Sequence, residues 1–462
     1  MLPSNFFLPE KKISIVIKDS DMEAEGEQLH LRDLSLILRL THTLTAKASH
    51  AGGDHYFRSA ASAGALYPTE IYVVSHGLNG LDDGLYHFAI HRHCLFPLRR
   101  GDPSSSMTRL TQLPADKTPI LTFIFTAVFF RSAWKYRERS YRYHLLDTGH
   151  VIENLILALK ALKRPHHLSY DFQDKRANAF LGLDEAKEVS LAFVHVFGKE
   201  TGMKGSEQEV TRPFETLQQA SRVAAKEVDY PLVREIHTAG ETVSKESRPG
   251  EPMLHRLGPA PAAWKGSPPL SDWPEIMNYP ETLLNRRSRR HFVNKALPEN
   301  AMAALIESLC ANDIQVLPVP TPYPFAFSVG LLAGQVEGMD PGFYLLDTET
   351  RSTGLVAGGS MMKEMALICL DQPWLSNAAC QFLFFTNLDR LDGKWGPRGY
   401  RYAMMTAGRL GERLYLAATA MGLGCCGIGA FYDGEASQLL GLNQDSRLLY
   451  LVALGSIKSK KD

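Results

Sequence analysis

Neither sign of charge predominates in this chain of 462 residues: fifty lysines and arginines stand against fifty aspartates and glutamates. That balance removes the electrostatic argument for nucleic acid or a membrane surface as a partner. Long apolar runs are also missing. The longest, ILTFIFTAVFF (Ile120–Phe130), is about half a membrane span and rich in β-branched and aromatic residues, which predicts a buried strand. The opening MLPSNFFLPEKKISIVIKD has no continuous apolar core and no small-residue cleavage site, so no signal peptide is read and a cytoplasmic location is expected. Cysteine is sparse: Cys94, Cys310, Cys369, Cys380, Cys425 and Cys426. None has C-x-x-C spacing and the vicinal pair cannot easily close a relaxed disulfide, so they read as reduced thiols with no structural zinc.

What is present is a repeat. RSYRYHLLDTGHVIENLILALKAL, from Arg139, aligns with RGYRYAMMTAGRLGERLYLAATAM, from Arg398, at a constant offset of 259. The register carries Tyr141, Arg142 and Tyr143 onto Tyr400, Arg401 and Tyr402, Gly149 onto Gly408, Phe172 onto Phe431, and Leu181-Gly182-Leu183 onto Leu440-Gly441-Leu442. Upstream, GLDDGLYHF (Gly80–Phe88) matches GMDPGFYLL (Gly338–Leu346), and FIFT (Phe123–Thr126) matches LFFT (Leu383–Thr386). A period this long indicates a duplicated domain rather than a solenoid. Each copy reads as helix, strand, strand pair, strand, long helix, short helix, strand, with the long helices near Tyr141–Lys163 and Tyr400–Met421. Residues 1–199 and 280–462 are the expected copies. The Pro-rich stretch 200–279 is the expected linker, in which ETLQQASRVAAKEV has a helical pattern.

GLGCCGIGAF (Gly422–Phe431) formally matches a dinucleotide fingerprint, but that motif must follow a strand and open a helix. Here the glycines follow a long helix, so the nicotinamide reading is rejected. Gly422 suits a helix C-cap. Gly424, Gly427 and Gly429 imply backbone lying close against a flat group. The first copy has KRPHHLSY in that slot, without glycine.

Other motifs divide between the copies in a complementary way. NRRSRRHF (Asn285–Phe292) is read as the entry to a helix, where Arg286, Arg287, Arg289, Arg290 and Ser288 could grip a phosphate bidentately or form a solvated basic start. The first copy has no such run. RSAASAGALYPTEIYVV (Arg58–Val74) describes a tight small-residue loop leading into a strand, where the second copy has the bulkier PYPFAFSVGLLAG.

SAGALYPTEIY, GLYHF and RSAWKYRERSYRYHLLDTGHVIENL resemble the SagB-type dehydrogenases of the FMN-dependent nitroreductase superfamily, while RRSRRHF resembles that superfamily's flavin-phosphate motif and GLGCCGIGAF its loop beside the flavin N5. The resemblance implies an α+β fold: two nitroreductase-like domains, each a mainly antiparallel sheet flanked by helices, forming an intrachain pseudo-dimer around one FMN, with room for a higher oligomer. It implies that Arg286, Arg287, Ser288 and Arg290 hold the phosphate and ribityl chain. Gly427, Ile428 and Gly429 would lie at the flavin edge, and Ser62, Ala63, Gly64 and Leu66 would pack from the other half. Ile428 stands where the family often has glutamate, which leaves backbone contacts alone. Lys458 and Lys460 are candidate basic C-terminal contacts or a solubilising tail.

By the same resemblance, Lys135 and Tyr136 are the pair that assists proton removal while hydride leaves the substrate. A neutral lysine base needs its pKa lowered from about 10.4 to near 7, for which burial and Arg131, Arg137 or Arg139 are available. The expected substrate is a small or peptide-borne heterocycle, with NAD(P)H or O2 as electron donor or acceptor. An NAD(P)H-dependent nitroreductase-like reductase and a catalytically degenerate partner-docking scaffold are the alternatives. His87, His91, His93 and Cys94 fit one face of a strand and a turn in a surface hairpin better than a metal site. His150, Glu153 and Asn154, read at the start of the long helix, suit packing.

Overall fold

The computed structural model describes residues 1–5, 7–19, 28–50, 53–111, 113–114, 117–198, 222–241, 252–267, 269–311 and 325–458. Among these, residues in Met1–Pro9 and Asp19–Val243 form one compact unit, and those in Glu10–Lys18, Ser244–Asn312 and Pro320–Asp462 form the other. Helix α1 (Ile13–Lys18) therefore belongs to the second unit although the chain on both sides belongs to the first. It buries Ile13, Val16 and Ile17. Its polar partners are also in the second unit: Lys12 pairs with Asp272, the Ser14 N–H and hydroxyl both donate to Glu275, and Lys18 reaches Glu307.

The first unit continues with α2 (Leu31–Thr41), a separate two-stranded ribbon of β1 (Leu44–His50) and β2 (Gly53–Arg58), then β3 (Thr69–Ser75), β4 (Gly84–Ala89) and β5 (Cys94–Arg100). After these come α3 (Ser104–Leu110), β6 (Leu121–Val128), α4 (Phe130–Tyr136), α5 (Ser140–Ala161), β7 (His166–Ser169), α6 (Asp174–Leu181), β8 (Glu188–Val196) and α7 (Pro231–Ala239). Its main sheet runs β5-β4-β3-β6-β8-β7, with every neighbouring pair antiparallel. The apolar run read as a strand is β6, all eight residues of which are buried.

The second unit contains β9 (Lys265–Gly266), α8 (Tyr279–Asn285), α9 (Glu299–Cys310), β10 (Ser328–Ala333), β11 (Gly342–Asp347), β12 (Ser352–Gly358), α10 (Met362–Ile368) and β13 (Cys380–Asn387). It is completed by α11 (Leu388–Trp395), α12 (Arg398–Ala420), β14 (Gly424–Ile428), α13 (Asp433–Leu439) and β15 (Ser446–Gly455). Its sheet runs β14-β15-β13-β10-β11-β12-β9 and is also antiparallel. Apart from β9, this is the strand order of the first unit.

The likeness extends to irregularities. The β4–β5 pairing shifts register between Leu85 and Tyr86, and β11–β12 between Phe343 and Tyr344; β6–β8 shifts between Phe125 and Thr126, and β13–β15 between Phe384 and Phe385. Bulges are built features rather than defects, and these fall at equivalent positions of the two sheets, the sheet register equating Phe125 with Phe384, one residue off the FIFT–LFFT match. The turns before β4 and β11 are closed alike, with the Tyr86 hydroxyl donating to Asp82 O at 2.7 Å and the Tyr344 hydroxyl to Asp340 O at 2.8 Å.

Several expectations change in detail. The slot after each long helix is a strand, β7 or β14, not a loop leading outward. Gly422 does terminate α12: at φ +71° its N–H donates to Thr419 O while Leu423 N–H reaches back to Ala418 O, the two-bond pattern of a Schellman cap. Lys163 does the same after α5 at φ +51°, so the motif tolerates a side chain. The arginine run does not open a helix; it follows one. Asn278 caps α8 by accepting from Glu281 N–H, and Pro280 sits in the first turn, so the helix starts early and ends at Asn285. His91 belongs to a 3-10 turn that ends at His93 (φ +46°), so these two do not share a strand face. His150, Glu153 and Asn154 lie buried mid-helix in α5. Half of the helical pattern from Glu215, residues 215–221, lies outside the described residues, and described residues 222–228 are not helical. No helix among the described residues is long and apolar enough to cross a membrane.

Candidate functional site

In the first unit the small-residue loop is a 3-10 turn, Ala63–Ala65, entered from Ser62. Three residues in it have left-handed backbone: Gly64 (φ +62°), Ala65 (φ +52°) and Tyr67 (φ +49°). Such a conformation persists only where surroundings over-determine it, and here they do. The Ser62 hydroxyl donates to Asp147 Oδ2 at 2.5 Å, the Ala63 N–H donates to Asp147 Oδ1 at 3.1 Å, and the Tyr67 N–H donates to Ser62 Oγ at 2.9 Å. At the far end, Tyr67 O accepts from Arg131.

Arg131 also pairs with Glu70, which takes a second bond from His87 Nε2 at 2.7 Å. Burial would raise the Glu70 pKa, but Arg131 and then His87 outweigh it and hold the carboxyl well below the usual range. Arg131 thereby ties α4 to β3. One turn on, Lys135 and Tyr136 come against the loop: a Cβ on Gly64 would stand 2.6 Å from the Tyr136 hydroxyl and 2.9 Å from Lys135 Nζ. Lys135 is exposed, so the burial expected around it is not found; its Nζ lies 5.3 Å from the centre of the Tyr136 ring, and that ring meets Tyr143 edge-on. Leu66 is half-buried in the same loop. The first-unit candidates therefore form one cluster. His87 joins this network only through Glu70, while His93 Nε2 lies 2.9 Å from Ser35 Oγ.

Asp147 was not singled out from the sequence. Its signal is an acid inside the apolar run HLLDTGHVI with no basic partner four residues away. Burial pushes its carboxyl up to about 7, an effect the Ser62 and Ala63 bonds only partly offset. The folded value lies above the unfolded one of about 3.9. Its stabilising contribution is therefore complete below about pH 4 and is lost as pH rises through about 7. We expect the wild-type urea midpoint to fall between pH 5 and pH 8, and Asp147→Asn to flatten that fall.

In the second unit the arginine run lies alongside β14. Ser288 forms a parallel bridge to Cys425, and Arg289 N–H donates to Cys425 O at 2.8 Å. Tyr415, from α12, links the motifs: its hydroxyl lies 2.9 Å from Ser288 Oγ and accepts the Gly427 N–H at 2.6 Å. Arg286 is buried, over the Tyr415 ring and 3.9 Å from buried Glu412. Arg287 donates to Leu284 O and Arg286 O, closing the end of α8. Arg290 is exposed beside Trp374. Gly427 is glycine for a local reason, since a Cβ there would run into the Tyr450 hydroxyl. Ile428 is buried at the end of β14, Gly429 is half-buried just beyond it, and Lys458 is exposed; Lys460 lies outside the described residues.

Tyr415 gave no warning in the sequence, because an aromatic in ERLYLAATAM reads as core. Tyr415→Phe should cost about 1–3 kcal/mol by stranding the part-buried Gly427 N–H, measured by urea unfolding.

The profile of the Nitroreductase family matches residues 28–199 and 345–456. A solved structure from Anabaena variabilis, named for nitroreductases, is 26% identical and covers 99% of this chain and 94% of its own, with a TM-score of 0.76. MJ1384 of Methanocaldococcus jannaschii, likewise named for nitroreductases, is 27% identical over 38% of this chain and 90% of its own length. The trifolitoxin-processing protein TfxB of Rhizobium leguminosarum bv. trifolii is 31% identical over 36% of this chain. The matched segment spans only 47% of TfxB, about half its length. With two matched segments, one in each unit, and shared sheet order, this chain belongs to the nitroreductase family.

Proposed function

We propose that the protein is a cytoplasmic, FMN-dependent oxidoreductase of SagB type, oxidising an azoline ring on a small or peptide substrate to an azole. The supporting observation is the seating of Lys135 and Tyr136 against the Ser62–Leu66 loop. The name of TfxB supports a peptide substrate. We take residues 1–199 and 280–462 as two copies of one unit, a reading their matching bulges support.

The second-unit residues suit an anionic group. Arg290 offers an exposed guanidinium and Ser288 a partly exposed hydroxyl, with Arg286 and Arg287 as further charge behind them. Charged hydrogen bonds of about 1.5–3 kcal/mol each from these two groups supply a large part of the ~8 kcal/mol of micromolar binding. In this reading Arg290 and Ser288 contact the FMN phosphate with Arg286 and Arg287 as charge behind them, Lys458 and Lys460 add further charge, and Gly427–Gly429 lie at the flavin edge. FMN supplies acceptance of a hydride. Ser62, Ala63, Gly64 and Leu66 fix the surface on which the substrate is oriented, and Lys135 Nζ, steadied by Tyr136, takes the proton that leaves as the ring is oxidised.

Absorbance and mass spectrometry of the purified chain test this. We expect about one FMN per chain. A colourless protein unable to take up added FMN would overturn it, and NADPH-driven reduction of a nitroaromatic without azoline oxidation would favour a reductase instead.

A further inference from the structure

We infer that Asp147 is a positioning residue, the clamp that holds the Ser62–Gly64 turn in the shape on which Lys135 and Tyr136 are seated. The inference rests on the proposed function in one respect, that this pair acts on substrate. Asp147 is 5% exposed. Both carboxylate oxygens are used on the turn, Oδ2 by the Ser62 hydroxyl and Oδ1 by the Ala63 N–H.

Ser62 passes the constraint on, because its oxygen also accepts the Tyr67 N–H. One side chain thus constrains both the entry to the turn and its exit at Tyr67. Between those points lies Gly64, where a Cβ would stand 2.6 Å from the Tyr136 hydroxyl and 2.9 Å from Lys135 Nζ. Burying a carboxylate costs free energy unless it is hydrogen-bonded, and an uncharged side chain would avoid burying a carboxylate. The second unit has that alternative: Thr406, at the matching position of α12, is buried, and its hydroxyl has no hydrogen-bond partner. The acid is present in the unit that carries the SAGALYP turn and the Lys-Tyr pair.

The test uses full-length wild type, Asp147→Ala, Asp147→Asn and Ser62→Ala. The first readout is hydrogen–deuterium exchange across residues 60–68. The second is affinity for added FMN, read from quenching of its fluorescence. We expect exchange in this segment to rise roughly tenfold or more in Asp147→Ala and Ser62→Ala, with strands β3 and β6 unchanged. Asp147→Asn should be intermediate, because an amide oxygen can still accept from Ala63. Azoline turnover should fall in kcat in the same order.

Unchanged exchange across 60–68 in both Asp147→Ala and Ser62→Ala would overturn the clamp. Accelerated exchange with undiminished kcat would overturn its role in seating the pair. Should Asp147→Ala fail to fold, Ser62→Ala, which leaves α5 untouched, decides the matter alone. Wild type that takes up no FMN would sink the flavin reading, while the exchange data would still decide the clamp.

Discussion

Lys135→Ala is expected to lower azoline oxidation by about 10²–10⁴-fold, the usual span for loss of a positioned acid or base, while the flavin content of the protein stays unchanged. The separation of the two effects follows from where the residue sits. Lys135 is exposed near the end of α4, and the helix is anchored elsewhere, through Arg131 to Glu70 and to Tyr67 O. Removing the amine therefore takes away a reacting group without removing a support. Tyr136→Phe is the companion variant: it keeps the edge-on contact with Tyr143 and deletes only the hydroxyl facing Gly64. Steady-state kinetics on an azoline peptide, alongside flavin absorbance, checks both. Undiminished turnover in Lys135→Ala would remove the base from the mechanism.

Gly427→Ala should be among the most damaging single-methyl additions in the chain. The new Cβ would overlap the Tyr450 hydroxyl oxygen and lie 2.5 Å from Cζ of the same ring. Tyr450 is buried in β15, the strand that pairs with β14, and stacks on Phe384 of β13. The ring therefore cannot swing aside without disturbing the sheet. Overpacking typically costs about 1–3 kcal/mol. We expect the upper end or beyond, together with loss of the Gly427–Tyr415 bond. Urea unfolding of Gly427→Ala and of Gly427→Ala/Tyr450→Phe measures it. The double variant should recover only part, because the ring carbon remains too close. A neutral Gly427→Ala would mean that β14 is free to shift.

The repeat made most of the fold legible, because one register carried information about both units. What escaped were elements with weak patterns. β7 is four buried residues rich in histidine, β14 is two-fifths glycine, and both are edge strands whose character comes from pairing with β8 and β15. The β1–β2 ribbon alternates too little to stand out. At the candidate sites, the residues resembling family motifs were readable because several unusual types occur together. The residues holding them, Asp147 and Tyr415, were not, since each sits within a long helix and acquires its meaning from partners on other segments, Ser62 and Ala63 for one, Ser288 and Gly427 for the other. The arginine run shows the same limit. Its composition was plain, but whether Arg286 is buried and Arg290 exposed depends on α12 and β14.

The crossing of α1 into the second unit has a practical corollary. Cutting the polypeptide between the repeats would not yield two whole bodies, because the later fragment would lack residues 10–18 and the earlier one would carry them as a surplus tail. The three aliphatic side chains left unburied are worth roughly 1.5–3 kcal/mol each. That sum is comparable to the entire net stability of many domains. Fragment complementation, with both pieces made in the same cell, is therefore the sensible route to studying either half.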